Sequence, residues 1–284
     1  MPEPRLFLDA KAILAESPVW DPEARELVWT DITSGLLHRT AADGSDDRST
    51  PLPPPVASFQ RRRGGGLVVA LKDSVVLTDD EGASPETLVE IPHLNDGIRF
   101  NEGKCDPFGN FVVGGMDFVA GEPDAALYRV TPAGDVTVLQ GGFGTANGFE
   151  WNDDGSVMWV TDTSVETVFR ASWGPDGVLG ELIPWSVGGM HDGLVRDERG
   201  EFWGCLYGEG LVTHLSADGD LIDTIAFDAP NLTGIAFGGD DLRTLFVCSA
   251  RENLTEQQLE EHPASGGIFA VELDRAGRQS FLFG

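Results

Sequence analysis

The sequence predicts an all-β fold, a six-bladed β-propeller built from four-stranded blades. Three observations carry that prediction: short β-rich segments recur at a near-constant spacing, glycine-rich turns separate them, and long amphipathic helical patterns are absent. The recurring segments are Leu27–Thr30, Leu67–Ala70, Phe111–Gly114, Met158–Thr161, Phe202–Cys205 and Leu245–Cys248. With Val28, Val68, Val112, Trp159, Trp203 and Phe246 as equivalents, the steps are 40, 44, 47, 44 and 43 residues, the length of one blade.

The flanks of each segment justify the individual strands. Asp106-Pro107-Phe108-Gly109-Asn110, Asn152-Asp153-Asp154-Gly155 and Asp197-Glu198-Arg199-Gly200 supply the positive-φ positions of a tight turn, so strands one and two of a blade form a hairpin. A third strand follows at Gly35–Arg39, Ala126–Val130, Thr167–Arg170 and Gly267–Val271, and glycine turns such as Ala42-Asp43-Gly44 close it. The run Arg5–Asp9 reads as a strand without a preceding hairpin partner; it is expected to pair with the C-terminal blade and close the ring. One helix is predicted, Glu256–Glu261, opened by Thr255 as N-cap and stopped by Pro263.

Composition bounds the function. At 284 residues and 41% hydrophobic content the chain can bury one large core, so residues 1–284 are expected to form a single domain. No stretch resembles a signal peptide or a membrane span, and the protein is expected to be cytoplasmic. Cys105, Cys205 and Cys248 have neither zinc-motif spacing nor an even number for disulfides, and read as small buried hydrophobes. A formal charge of −28 repels nucleic acid and anionic membranes, which excludes both as partners. A closed propeller leaves no sheet edge to pair, so a monomer is expected.

Chemistry is expected where the first strand of each blade begins. Counting back eleven to thirteen residues from each second-strand marker reaches Glu16, Ala57, Asn101, Asn147, Asp192 and Thr233. Two carboxylates and two amides at positions otherwise apolar need a shared partner, because each unpaired buried polar group costs roughly 2 kcal/mol or more. Oxygen ligation by Glu16, Asn147 and Asp192 suits a divalent cation such as Ca²⁺, Mg²⁺ or Mn²⁺, with Zn²⁺ or Fe²⁺ possible. Three protein ligands leave positions open for water and substrate.

From about residue 12 to residue 272 the chain resembles the family of senescence marker protein (regucalcin), gluconolactonases and luciferin-regenerating enzyme. The matching stretches are Leu14–Asp21, Arg99–Lys104, Asp106-Pro107 with Gly114–Asp117, Asn147–Trp151, Asp192-Gly193-Leu194 and Ala264–Phe269. The resemblance implies a calcium- or zinc-type site at Glu16, Asn147 and Asp192, with Arg99 and Asn101 over the substrate. It further implies a hydrolase of small sugar-acid lactones such as gluconolactone. In that chemistry a bound cation polarises the lactone carbonyl and eases deprotonation of water, with Asp192 as candidate general base. Asp117 is either a contact to a substrate hydroxyl or an ordinary turn aspartate. Two departures from the family pattern are His191, where proline is usual, and Ser17, where glycine is common.

Other residues read plainly. Trp20 and Trp151, each four residues beyond a candidate ligand, are expected in the core between blades, and Asp162 as a turn cap. His38, His93, His214 and His262 lack ligand-like spacing and are expected at the surface or on outer strands, whereas His191 is either a rim histidine or, beside Asp192, a functional one. No Gly-x-Ser-x-Gly elbow, phosphate loop or dinucleotide fingerprint competes. The alternatives are an aryl-ester or organophosphate hydrolase on the same site, and a non-catalytic metal-binding regulatory propeller.

Overall fold

The computed structural model describes residues 3–284. Its strands in chain order are β1 (Arg5–Leu8), β2 (Ala15–Asp21), β3 (Glu26–Asp31), β4 (Leu36–Ala41), β5 (Asp47–Pro51), β6 (Ser58–Arg61), β7 (Leu67–Ala70), β8 (Ser74–Thr78), β9 (Glu86–Glu90), β10 (Ile98–Cys105), β11 (Phe111–Asp117) and β12 (Ala125–Val130). They continue as β13 (Val136–Phe143), β14 (Ala146–Trp151), β15 (Val157–Asp162), β16 (Thr167–Ser172), β17 (Ile183–Val187), β18 (His191–Arg196), β19 (Phe202–Leu206), β20 (Leu211–Leu215), β21 (Leu221–Ala226), β22 (Leu232–Gly238), β23 (Thr244–Ser249) and β24 (Ile268–Glu272). These form six four-stranded sheets, the blades of a six-bladed β-propeller. All six segments read from the sequence are second strands.

The blades fall into two compact units of three. One comprises residues 1–51 and 192–279, the other residues 52–191 and 280–284. In the first unit β1 pairs antiparallel with β24, so the N-terminal strand completes the last blade as expected. The helix α1 (Glu256–Glu261) also lies where expected, with Thr255 and Gln258 forming a reciprocal capping box. Among the described residues no helix is long and apolar enough to cross a membrane.

Turn chemistry explains why hairpins of the third and fifth blades close. In the third blade Asp106 Oδ1 accepts from the backbone N–H of Phe108 (2.9 Å) and Asn110 (2.8 Å), and Gly109 supplies φ +83°. In the fifth, Asp197 Oδ1 accepts from Arg199 (2.9 Å) and Glu201 (3.0 Å), with Gly200 at φ +81°. A carboxylate thus closes a turn that water would otherwise have to satisfy.

Packing between blades uses the tryptophans as expected. Trp20 stacks on Phe246 at 5.8 Å, and Phe246 meets Phe7 edge-on at 4.9 Å. In the other unit Trp151 and Phe149 are fully buried beside Met158, Val160 and Trp173. The three cysteines are free thiols in the core. Of the two places expected for His214, the structure gives the outer strand, β20, third in its blade, rather than the surface. His214 is buried, stacked on Trp203 at 4.0 Å across β19 and β20, as His38 is stacked on Trp29 at 3.9 Å in the first blade. A histidine opposite a tryptophan on an adjacent strand covers its ring face, and alternation alone does not distinguish that from an exposed position.

Candidate active site

The first strands share a device that the sequence hides. In β2, three residue steps from Glu16 to Val19 oppose two on β3, from Thr30 to Val28. The same one-residue excess lies between Phe100 and Gly103 in β10, Asn147 and Glu150 in β14, and Leu232 and Ile235 in β22. A bulge of this kind kinks the strand and redirects side chains, and bulges are common beside active sites. Glu16 and Asn147 are the last paired residues before their bulges, whereas Asn101 and Thr233 are the first residues within theirs. The six-way alignment that sets Asn101 and Thr233 level with Glu16 and Asn147 is therefore out by one residue. The cause lies in the second-strand markers: Val28 and Trp159 pair with the first residue after the bulge, whereas the residues that do so in the third and last blades are Val113 and Val247, one beyond Val112 and Phe246. The residue after each of the two candidate ligands takes a left-handed conformation, φ +49° at Ser17 and +51° at Gly148.

In the unit that holds Glu16 and Asp192, two glycines bring the first strands of three blades together. A side chain at Gly234 would lie 2.8 Å from Glu16 Oε2 and 2.9 Å from Ser17 N, and one at Gly193 would lie 3.1 Å from Gly234 Cα. Bare backbone is what permits this approach, with Glu16 on one side of Gly234 and Asp192 beside Gly193 on the other. Both carboxylates are buried, and Glu16 Oε2 accepts from Ser17 N at 2.6 Å. Nearby, Tyr207 Oη accepts from Asn231 Nδ2 (3.2 Å) and Asn253 Nδ2 (3.0 Å). Burial raises the Tyr207 phenol above its usual range; Asn253 opposes this, and the Asp192 charge adds to the rise.

In the other unit Arg99, Asn101 and Asn147 form one hydrogen-bond series. Arg99 Nη1 donates to Phe100 O (2.8 Å) and Asn101 Oδ1 (2.7 Å), while Asn101 Nδ2 donates to Ala146 O (3.2 Å) and Asn147 Oδ1 (2.6 Å). Asn147 Nδ2 donates to Thr163 Oγ1 (2.9 Å), and Thr163 Oγ1 donates to His191 O (2.6 Å). The end groups settle every direction, since a guanidinium only donates and a carbonyl only accepts. Asn147 Oδ1 consequently receives Asn101 and retains a second lone pair. Glu102, the next residue along from Asn101, accepts from Gly148 N at 2.5 Å, and burial raises its carboxyl to about 7.

Asp117 ends β11, and its Oδ1 accepts from the N–H of Val119 (3.0 Å) and Ala120 (2.8 Å), which hold its pKa below the usual range. Asp162 ends β15 and caps the following turn in the same way through Ser164 N (3.1 Å), as expected. His191 is buried, and desolvation lowers its pKa to about 4, so it is neutral at pH 7.

Buried carboxylates such as Glu16 and Asp192 in one unit, and an oriented amide oxygen such as that of Asn147 in the other, are donor types that suit a hard divalent cation. A different cluster does not. Among the described residues Asp197, Glu201 and His214 offer ligand atoms within 4.8 Å of one another. Arg275 Nη1 already stands 2.5 Å from Glu201 Oε2 and 3.2 Å from His214 Nε2, so a guanidinium supplies the positive charge. The first blade repeats the pattern with Arg39 between Asp21 (2.7 Å) and Glu26 (2.9 Å), which marks it as structural.

Residues 14–251 match the model of the SMP-30/gluconolactonase/LRE-like region. The chain belongs to this family. Within the SMP-30/gluconolactonase/LRE-like family it is 33% identical over 278 residues to a 6-deoxy-6-sulfogluconolactonase of Pseudomonas putida, covering 96% of this chain and 95% of that one. It is 30% identical over 289 residues to an L-arabinolactonase of Azospirillum brasilense, covering 98% and 94%. A calcium-binding regucalcin of Agrobacterium tumefaciens superposes with a TM-score of 0.93 at 26% identity, over 99% of this chain and 97% of that one. The family's members thus include sugar lactone lactonases, which are hydrolases of cyclic esters. Sequence reasoning had found the family's motifs but not Thr163, Gly234 or Tyr207; each carries an unremarkable residue type, and only cross-strand geometry reveals it.

Proposed function

We propose that the protein is a metal-dependent lactonase of small sugar-acid lactones, working as a cytoplasmic monomer, with a divalent cation held by Glu16, Asn147 and Asp192. The observation that carries the reading is the directed series from Arg99 to His191, which commits the nitrogen of Asn147 to Thr163 and keeps its oxygen available as a ligand. Calcium suits the all-oxygen donor set best, with zinc, manganese, magnesium or iron(II) as alternatives. When bound, the cation supplies polarisation of the lactone carbonyl and acidification of water.

The chain's own residues do the rest. Asp192 accepts the proton of the attacking water as general base. Arg99 provides positive charge toward the carboxylate that forms as the ring opens, and Asn101, locked between Arg99 and Asn147, orients sugar oxygens. Asp117, whose carboxylate is anchored by the backbone of the loop that follows it, contacts a substrate hydroxyl in this reading.

A pH-stat assay on an aldonolactone panel, with chelated protein resupplied with single metals, tests this. Asp192→Asn and Glu16→Gln are expected to lower kcat/KM by about 100-fold or more. Full turnover after chelation would overturn the cation's role, and wild-type rates in both variants would overturn the residue assignment.

A second reading has its own observation. Residues at or just beyond strand ends of the third and fourth blades expose apolar side chains: Leu94 before β10, Phe118 and Val119 after β11, Val165 in the turn after β15, Val187 at the end of β17 and Met190 before β18. An apolar border favours aryl or aliphatic esters over polyols. Including phenyl acetate and an alkyl lactone in the same panel decides between the two, since the sugar-lactone reading expects the aldonolactones to have the higher kcat/KM.

A further inference from the structure

We infer that Thr163 is a positioning residue that selects which end of the Asn147 amide faces the cation; the inference rests on the cation site proposed above. An asparagine amide is nearly symmetric in shape, and only its oxygen can ligate a cation. Something must therefore hold the oxygen outward. A hydroxyl has one hydrogen, and that of Thr163 is committed to His191 O at 2.6 Å, an acceptor only. Toward Asn147 the Thr163 oxygen can then only accept, so the amide nitrogen turns to it, at 2.9 Å. Asn101 applies the same constraint from the other side, because its own oxygen is taken by Arg99 and it presents its nitrogen to Asn147 Oδ1.

The geometry around Thr163 is built rather than incidental. Thr163 begins a short 3-10 turn (Thr163–Val165) capped by Asp162 and closed by Glu166 at φ +50°. Its backbone N–H donates to Thr145 O at 3.0 Å, while Asp162 accepts from the N–H groups of Gly144 (3.2 Å) and Thr145 (3.1 Å). Thr163 is thus anchored through its backbone to the segment that leads directly into Ala146 and Asn147, and through its hydroxyl to the carbonyl of the residue preceding Asp192. A flipped amide would leave two nitrogens facing each other at Asn101 and two acceptors facing each other at Thr163, each a lost buried hydrogen bond.

The test is calcium and manganese titration of purified, chelator-treated full-length protein by calorimetry, with metal-dependent Tm as a second readout. Thr163→Val keeps shape and removes the hydroxyl; Thr163→Ala does the same with less volume should valine not fold; Thr163→Ser restores the hydroxyl. Thr163→Val or Thr163→Ala is expected to weaken cation binding about 10- to 100-fold, with Thr163→Ser within about 3-fold of wild type. In an Asn147→Asp background, whose two oxygens are equivalent, the valine penalty is expected to shrink to within about 3-fold, an outcome a purely structural role would not produce. Undiminished affinity in Thr163→Val, or an equal loss in Thr163→Ser, overturns the positioning role. Wild-type protein that binds neither cation overturns the site itself, and the role of Thr163 with it.

Discussion

Residues 17 and 148 share a backbone state, φ +49° and +51°, yet one is serine and the other glycine. A Cβ in the left-handed region costs about 1–2 kcal/mol, and Ser17 bears that strain directly beside Glu16. Gly148→Ala introduces the same penalty at the second site, and a loss of about 1 kcal/mol in urea unfolding is expected. Buried histidines contribute to the response to acid. His191 titrates near 4, and burial lowers His93 as well, whereas both titrate near 6.5 when unfolded. Between those limits the unfolded chain takes up protons that the folded one refuses, so the histidine contribution is full above pH 6.5 and is lost as pH drops toward 4, while Glu102, raised to about 7, acts in the opposite direction as pH falls below 7. His191→Gln, followed by urea unfolding in chelator, is expected to remove up to about 3 kcal/mol of that decline.

Strands and bulges define the next scale. The packing of first strands through Gly193 and Gly234 leaves no room for a methyl group: at Gly234 it would meet Pro18 Cδ at 2.4 Å as well as Glu16 Oε2. Gly234→Ala is expected to cost about 1–3 kcal/mol and to weaken calcium binding, measured by denaturation and calorimetry. Here also lies the division between what the sequence discloses and what it conceals. Strand positions, hairpin turns and α1 were legible because apolar period, glycine placement and a Thr-x-x-Gln cap are local signals. Glu16, Asn147 and Asp192 stand out in the sequence because they are polar residues at otherwise apolar positions. The one-residue offset of Asn101 was not legible, since register is defined only by pairing with the partner strand, and Thr163 was not, since its role depends on where two distant acceptors and donors point.

At the scale of the molecule, the last blade depends on the first residues of the chain. β1 covers the outer edge of β24 through Arg5, Leu6 and Leu8. Removing residues 1–9 is expected to lower Tm and produce concentration-dependent association by light scattering, because β24 would present unpaired backbone groups. The bulge belongs to this scale too, for it recurs in four of the five first-strand hairpins whose register is described, including one at Thr233-Gly234 that carries no acid or amide. The kink is a property of the repeat, independent of the ligand mounted on it. Such a scaffold separates folding from chemistry: the hairpin acts as a common socket, and a change of reaction asks for new side chains at these kinks rather than a new backbone.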